Sequence, residues 1–413
     1  MNIGKGFHLT YCTNIHPGQT WAAVLESLQQ YLLPLKAQLS PDQPFGIGLR
    51  LSDQASKELE QEDHLSTFKN WLIQNGLYVF LINGFPFGSF HGSVVKDDVH
   101  QPDWTTPARL EYTKRLGRIL AYLLPEELDG GISTSPLSYK PWLAGNPQKT
   151  AEVFRVATQH LAEVVAHFMF LRQETGRLLH LDIEPEPDGL LENTEEFIWY
   201  YEEWLLPQVS DYLQTRYGFM AAKAEEVVKT HVQLCYDVCH FALAYEEPEL
   251  VFNRLKSKGI KVGRVQISAA LKAQLPAGQA ARGELATQFE AFSESTYLHQ
   301  VLVKNQDGSI TQYPDLPPAL EHIQDSHAVE WRSHFHVPVF LQKYNQLEST
   351  QAEIIKVLKL LEQNNSTAYL EVETYTWEVL PPEIKLDLGA SIARELNWVK
   401  DNFLAEDKPE PVK

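Results

Sequence analysis

The 413-residue sequence is poor in cysteine, in basic residues and in long apolar runs. It has only three cysteines, Cys12, Cys235 and Cys239. A number this small, and odd, argues against a disulfide framework and favours a reducing compartment. Lys and Arg total 35 against 54 Asp and Glu, and the resulting charge of −19 disfavours a nucleic-acid or anionic-membrane partner. There is no uninterrupted apolar run of about 18 residues, and residues 1–8 lack the basic-then-apolar order of a signal peptide. We expect a cytoplasmic protein without membrane insertion.

What is present is a globular composition, 44% hydrophobic and 22% charged, in which short β-type runs alternate with longer helical patterns. Alternation of this kind predicts βαβ units and a parallel sheet. Eight strands are predicted, at residues 7–14, 45–52, 77–83, 131–136, 178–186, 231–240, 262–268 and 368–374. The clearest helices are predicted at residues 21–39, 106–124, 151–175, 194–217 and 350–363.

Eight such units predict an α/β fold that closes into a (β/α)8 TIM barrel, with its site at the C-terminal ends of the strands. A doubly wound open sheet is the alternative, but no glycine-rich phosphate loop follows the first strand. A ninth strand-like run, 334–340, is assigned to an insertion at 269–345 after the seventh strand, which also contains a hairpin. We therefore predict one barrel domain over 1–404 and a disordered tail at 405–413.

Acidic residues are concentrated at two predicted strand ends. In the segment 179–187, alternation places His180, Asp182, Glu184 and Glu186 on one face, and prolines 185 and 187 stop the strand. Glu371 and Glu373 share a face of the last strand in the same way. Buried carboxylates are costly unless they are paired or bound to a cation, so both strand ends are candidate metal or catalytic sites.

Histidines supply further candidate ligands. Asp237 and His240 end the sixth strand, although Asp237 capping the next helix is an equally good interpretation. His334 and His336 form a His-x-His pair, which in extended chain points both imidazoles to one side. Cys235 and Cys239 are interpreted as buried apolar thiols. Polar residues at other strand ends, Asn14, His16, Asn83 and His91, are candidate substrate-binding groups, and so is His334.

The order Ile183-Glu184-Pro185, Asp237-Val238-Cys239-His240 and strand-end Glu373 resembles the xylose isomerase-like barrels. The resemblance implies that Glu184, Asp237 and Glu373 bind a metal and that His240 contacts substrate. The histidine that the family usually carries on the seventh strand is replaced by Gln266. Gln266 would then bind weakly or contact substrate, His336 (less readily His334) would supply the missing ligand, or the metal would be lost.

Over nearly its full length the chain also resembles the Ebo-type metabolite-traffic proteins (EboE-like). The segments that carry this resemblance are 8–18, 82–86, 334–338 and 371–377. It implies a role beside other pathway proteins in making or exporting a small secondary metabolite.

Taken together, the sequence predicts a divalent-metal-dependent isomerase or epimerase acting on a small polar metabolite, a sugar, polyol or cyclitol. The metal, Mn, Co, Zn or Mg, would be held by Glu184, Asp237, Glu373 and either His336 or Gln266, with Glu184, Glu373 and His240 as catalytic residues. Two alternatives remain open: a metabolite carrier that has lost the chemistry, and a metal-dependent phosphoester hydrolase.

Overall fold

Eight parallel strands follow one another in sequence order around a barrel. The structure is a computed structural model and describes residues 1–88, 95–377, 380 and 387–403. The strands are β1 Asn2–Gly4, β2 Phe7–Tyr11, β3 Phe45–Arg50, β4 Leu77–Asn83, β5 Gly130–Thr134, β6 Leu179–Ile183, β7 Val232–Asp237, β8 Val262–Ile267, β9 Ala269–Gln274, β10 Val301–Asn305, β11 Ile310–Tyr313, β12 Ala328–Val337, β13 Lys343–Tyr344, β14 Leu347–Ser349 and β15 Tyr369–Val372. The barrel is built from β2 to β8 and β15, and β1 pairs antiparallel with β2.

Helices follow most barrel strands and cover the outside of the barrel. They are α1 Trp21–Leu39, α2 Asp53–Leu59, α3 His64–Gln74, α4 Pro107–Leu123, α5 Pro147–Thr175, α6 Thr194–Tyr200, α7 Leu206–Tyr217, α8 Ala221–His231, α9 Val238–Leu243, α10 Pro248–Ser257, α11 Gln279–Glu290, α12 Leu316–Leu320, α13 Gln351–Asn364 and α14 Leu388–Asn402. Short 3₁₀ turns lie at 13–15, 96–100 and 140–143, and a π-helical turn at 201–205 joins α6 to α7.

The barrel closes between β2 and β3. The Thr10 hydroxyl donates a hydrogen bond to the Gly46 carbonyl at 2.8 Å and accepts one from the Gly48 N–H at 3.0 Å. A parallel bridge joins Cys12 to Gly48 one step further along. A Cβ at Gly48 would lie only 1.9 Å from Glu371 Oε1, so the seam requires glycine.

The helix α1 shows how the sequence produces this packing. Thr20 caps its N-terminus by accepting a hydrogen bond from the Ala23 N–H at 3.2 Å. Leu28, Leu32 and Leu35 recur at three- and four-residue spacing and are buried against the barrel. Burial of each such side chain contributes about 1.5–3 kcal/mol relative to exposure.

A second, antiparallel sheet leaves the barrel directly after β8. Its strand order is β11-β10-β12-β9-β14-β13, and β10 and β11 form a hairpin. The long strand β12 pairs with β9 up to Ser333 and again at Val337, with an irregular stretch between them. His334 and His336 lie within that stretch, where a break in regular pairing redirects side chains.

The fold class predicted from sequence, a (β/α)8 barrel with an insertion after the seventh strand, is confirmed. The predicted helix at 194–217 is interrupted by the π-helical turn, whereas α1 has the predicted bounds. The predicted tail, 405–413, lies outside the described residues. Within the described chain, no helix combines the length and the apolar character needed to cross a bilayer.

Candidate metal centre at the barrel mouth

Three carboxylates meet where β6, β7 and β15 end. Asp237 is the last residue of β7, while Glu184 and Glu373 each follow a strand by one residue. One oxygen of each carboxylate lies within 4.8 Å of the other two, and all three side chains are buried. The parallel strand order explains this convergence, because the carboxyl ends of neighbouring barrel strands share one rim.

These carboxylates carry more negative charge than their surroundings compensate. Burial, followed by the repulsion of neighbouring carboxylates, raises the pKa of both Glu184 and Glu373 well above the ordinary value. The pKa of Asp237, by contrast, lies below its ordinary value. Burial alone would raise it, but the His240 and His336 rings and a 2.7 Å hydrogen bond from the Ser268 hydroxyl have the larger, opposite effect. In the part of the chain that the structure describes, no Lys or Arg forms an ion pair with any of the three.

Several atoms in this cluster that could bind a metal have no hydrogen-bond partner among the described residues. They are Glu184 Oε2, Asp237 Oδ2 and His336 Nε2, all buried. Unpartnered buried acceptors cost free energy, and a bound cation satisfies them together. The residues present therefore fit a divalent metal ion.

Two amides fix the position of Glu373. The side-chain N–H groups of Asn14 and Asn83 both donate to Glu373 Oε1, at 2.7 Å and 3.1 Å. Asn14 lies in the 3₁₀ turn after β2 and Asn83 is the last residue of β4, so the two amides come from strands on either side of β3. One oxygen of Glu373 is thus used for orientation, and the other remains for a ligand.

The insertion brings His336 into the cluster. Its Nδ1 donates to the Glu373 backbone carbonyl at 2.9 Å, which leaves Nε2 as a lone pair. Ligand atoms of His336, Asp237 and His240 lie within 4.8 Å of one another. Burial lowers the pKa of His336, which keeps the ring in the neutral form that binds metals.

Gln266 stands where the resemblance to the xylose isomerase-like barrels implies a histidine, and its side-chain oxygen is already used within the protein. Its Oε1 accepts a 2.8 Å hydrogen bond from the Cys235 thiol on the neighbouring strand. Its Nε2 is buried and has no partner in the described structure. Both residues left open by the sequence lie near Asp237: Gln266 is paired with it across β7 and β8 but gives its oxygen to Cys235, whereas His336 has a ligand atom within 4.8 Å of one of Asp237.

His240 and His334 lie beside the carboxylates and face each other. Their Nε2 atoms are 3.1 Å apart. His240 Nε2 is also 4.0 Å from Asp237 Oδ1, and its Nδ1 is 3.9 Å from Glu184 Oε1. Burial lowers the pKa of His240 to about 4 and that of His334 well below the ordinary value, so both rings are neutral at pH 7.

One predicted substrate-binding histidine lies away from the cavity. His16 does not line the cavity at the barrel mouth: its Nε2 contacts the Tyr11 hydroxyl at 2.9 Å, and its ring stacks on Tyr31. His91 lies outside the described residues. Cys239 packs in an apolar cluster, yet its sulfur is within 4.8 Å of ligand atoms of His334 and His336.

Deeper in the barrel, a second layer of acids is neutralised. The guanidinium of Arg264 donates to Asp182 Oδ2 at 3.0 Å and to Glu371 Oε2 at 2.9 Å. His180 Nδ1 lies 2.5 Å from the other oxygen of Asp182. Asp182 and Glu371, candidates by their spacing in the sequence, are therefore held in a buried ion-pair network below the site.

The cavity above the carboxylates is polar at its floor and partly aromatic at its walls. It measures about 610 Å³ including its open mouth. Sequence reasoning missed His100 and Gln300, which also line it. His100 ends the 3₁₀ turn at 96–100 and Gln300 precedes the hairpin, so neither is marked by the end of a barrel strand.

No protein-family model matches the chain, and no curated protein matches it. Among solved structures, it is similar to a xylose isomerase-like TIM barrel protein from Mycobacterium smegmatis in complex with magnesium (10% identity, 96% of each chain covered, TM-score 0.47). It is also similar to a D-psicose 3-epimerase determined in the presence of D-fructose (12% identity, 95% of this chain and 96% of the other, TM-score 0.45). A third is the IOLI protein with a binding zinc atom (12% identity, 97% and 98%, TM-score 0.45). The barrel assignment for this chain rests on its own strand order, and the similarities assign it no reaction.

Proposed function

We propose that the protein is a metal-dependent isomerase or epimerase acting on a small polar carbonyl compound of the sugar, polyol or cyclitol type. The observation that carries this proposal is the convergence of three buried carboxylates, with His336 beside Asp237 and with no Lys or Arg paired to them in the described structure. A cluster of this charge is unfavourable without a cation and well suited to holding one.

The proposed ligands are Glu184, Asp237, Glu373 and His336. Carboxylate oxygens with one imidazole suit Mg, Mn, Co or Zn, and the donor set does not choose among them. When bound, such an ion polarises a substrate carbonyl and stabilises the negative charge that develops on its oxygen.

The residues that move protons would be Glu184 and Glu373. They lie on β6 and β15, which are separated in the barrel by β7 and β8, so they approach the cavity from different sides. A carboxylate beside a metal-polarised carbonyl can exchange a proton with the carbon next to it. If one residue took the proton from that carbon and the other, in its protonated form, delivered its own proton to the opposite face, the configuration at the carbon would be inverted.

Asn14 and Asn83 would position this chemistry. Both amides hold Glu373 Oε1, so the orientation of the carboxylate is fixed. Its second oxygen, Oε2, is the one left for the metal or the substrate. The direct contact between His240 and a substrate hydroxyl, expected from the sequence, is not part of the proposal, because His240 Nε2 faces His334.

The resemblance to Ebo-type metabolite-traffic proteins supports a narrower proposal. In that setting the substrate would be an intermediate of a secondary-metabolite pathway, and the other proteins of the pathway would be partners. Comparison of extracts from cells with and without the protein, searching for an accumulated polar carbonyl compound, tests this part independently of the metal site.

Metal content tests the ligand set. We expect about one equivalent of a divalent metal at this site in the wild type and its loss in Glu184→Gln and Asp237→Asn, with the fold retained. Glu395→Gln is the matched control, since Glu395 is equally buried and hydrogen-bonded to Thr374 and the Val339 N–H, away from the cavity. Full metal occupancy in both site variants would contradict the proposed ligands.

Hydrogen exchange tests the reaction. We expect the metal-loaded protein to incorporate solvent deuterium at the carbon next to the carbonyl of a ketose or inosose panel, and Glu373→Gln to abolish this. Mass spectrometry detects the exchange even where epimers are not separated. A metal-loaded protein that binds such compounds without exchange would instead favour a carrier.

A further inference from the structure

A second group of possible ligands lies beside the carboxylate cluster and is not used by the proposed function. It consists of Glu186, His240 and His334, whose ligand atoms all lie within 4.8 Å of one another. Their exposed fractions are 7%, 3% and 7%. They come from the loop after β6, from α9 and from β12, so the group exists only because the insertion folds over the barrel.

Hydrogen bonds determine where the proton of each imidazole lies. His240 Nδ1 is 3.0 Å from the Pro185 backbone carbonyl, which only accepts, so Nδ1 carries the proton. His334 Nδ1 is 2.9 Å from Gln300 Oε1. The amide of Gln300 is oriented by its own N–H donating to the Pro187 carbonyl at 3.3 Å, so Oε1 is the acceptor and His334 Nδ1 the donor.

It follows that two lone pairs face each other across the 3.1 Å between His240 Nε2 and His334 Nε2. Two neutral acceptors at this distance repel unless a cation lies between their lone pairs. Two imidazole nitrogens bound to one tetrahedral ion at about 2.0–2.1 Å lie about 3.3 Å apart, close to the spacing seen here.

Glu186 supplies the negative charge of the group. Its Oε1 is buried and has no well-aligned hydrogen bond among the described residues, although His100 Nε2 lies 3.1 Å away. His100 packs against Phe85 and Tyr139, which fixes its ring beside the carboxylate. Carboxylates that bind a metal are usually supported by a polar group behind them, and His100 lies in that position beside Glu186.

We propose that Glu186, His240 and His334 form a second cation site, distinct in chemistry from the carboxylate-rich one. Two imidazoles and one carboxylate favour a zinc-class transition metal, such as Zn or Co, over Mg. The centre would therefore hold two ions, a carboxylate-rich site on the barrel strands and a histidine-rich site completed by the insertion.

Metal stoichiometry distinguishes the two sites. Metal-stripped full-length protein is loaded with Zn²⁺ or Co²⁺, desalted and analysed for metal per chain. We expect about two equivalents in the wild type and about one in His334→Gln and in Glu186→Gln. Glu373→Gln should lose the other equivalent and retain the histidine-rich one, and protein saturated with Mg²⁺ should still take up about one Co²⁺.

His231→Gln is the matched control. His231 is a buried histidine whose Nδ1 contacts the Leu179 carbonyl at the opposite end of the barrel strands, and its replacement should leave both equivalents in place. Far-UV circular dichroism establishes whether each variant is folded. If His334→Gln does not fold, Glu186→Gln takes its place as the test variant.

The outcomes separate this proposal from the function proposed above. A wild type that binds about one equivalent, retained in His334→Gln and lost in Glu373→Gln, overturns the second site and leaves the proposed function standing. One equivalent lost in His334→Gln and retained in Glu373→Gln supports the histidine site and overturns the carboxylate site. Loss of the second equivalent in Cys239→Ala but not in Glu186→Gln overturns the ligand set.

Discussion

Two layers of acidic side chains lie one above the other inside the same barrel, and they are neutralised in opposite ways. In the lower layer, Asp182 and Glu371 are both paired with Arg264. In the upper layer, Glu184, Asp237 and Glu373 face one another, with no such pair in the described structure. The lower layer satisfies its charge within the protein, whereas the upper layer leaves it for something that binds. This difference, more than the number of acids, identifies the site.

The largest expected effect comes from breaking the lower layer. Arg264→Met removes the guanidinium from two buried carboxylates and leaves Asp182 with its contact to His180, and we expect it to lower the free energy of unfolding by about 3–5 kcal/mol. Arg118→Met is the control, since Arg118 forms a half-exposed pair with Glu60 and its loss should cost less than about 1 kcal/mol. Urea denaturation of the metal-stripped proteins measures both. If Arg264→Met and Arg118→Met lower the free energy of unfolding equally, Arg264 does not neutralise the lower layer as described.

The next effect concerns the residue that the insertion adds to the upper layer. His336→Gln should weaken metal binding by at least about 10–100-fold, the range found even for residues that only support a ligand. Thermal stability of the metal-free protein should change much less, because the ring's Nε2 has no partner in the described chain. Competition with a coloured chelator measures the affinity, and an unchanged affinity would exclude His336 as a ligand.

The upper layer should also respond to pH in the absence of metal. Because the pKa of Glu184 is raised in the folded state, the folded protein binds more protons than the unfolded chain above about pH 4.5, and stability falls as pH rises. Each such group contributes at most about 1.4 kcal/mol per pH unit. Glu184→Gln should make this decline shallower. Unfolding curves recorded in a chelating buffer at several pH values above about 4.5 measure this decline in stability. If stability falls equally steeply with pH in the wild type and in Glu184→Gln, the inferred charge repulsion is contradicted.

Much of this arrangement could be predicted from the sequence, for a physical reason. Alternation along a buried strand fixes which side chains point inward, and the prolines after Glu184 mark where the strand ends. What alternation cannot give is the partner of each acid. Asp182 and Glu184 share one face of one strand, yet only the first reaches Arg264, which lies two strands away in the barrel.

Contributions from outside the strands were harder to predict. His100 lies in a short 3₁₀ turn and Gln300 in the segment before the hairpin, where no periodicity marks an inward side, and their approach to the cavity depends on tertiary packing. His336 was a candidate because of its His-x-His spacing, but its distance from Asp237 depends on the irregular stretch of β12. The predicted position of His16 beside the substrate stays untested, although its ring stacks on Tyr31 outside the cavity lining.

The smallest expected effect distinguishes residues that only lie near the upper layer from those that belong to it. Gln266 is adjacent to Asp237 across the β7–β8 pairing, but its side chain is used by Cys235 and its amide nitrogen is unsatisfied. Gln266→Leu removes an unsatisfied buried donor together with one weak thiol hydrogen bond, so the free energy of unfolding should change by less than about 1 kcal/mol. Metal affinity, measured as for His336→Gln, should stay within about threefold of the wild type, since one lost ligand would cost tenfold or more. A tenfold loss in this variant would return Gln266 to the ligand set and make His336 dispensable, so the two variants together decide whether the barrel strands or the insertion complete the site.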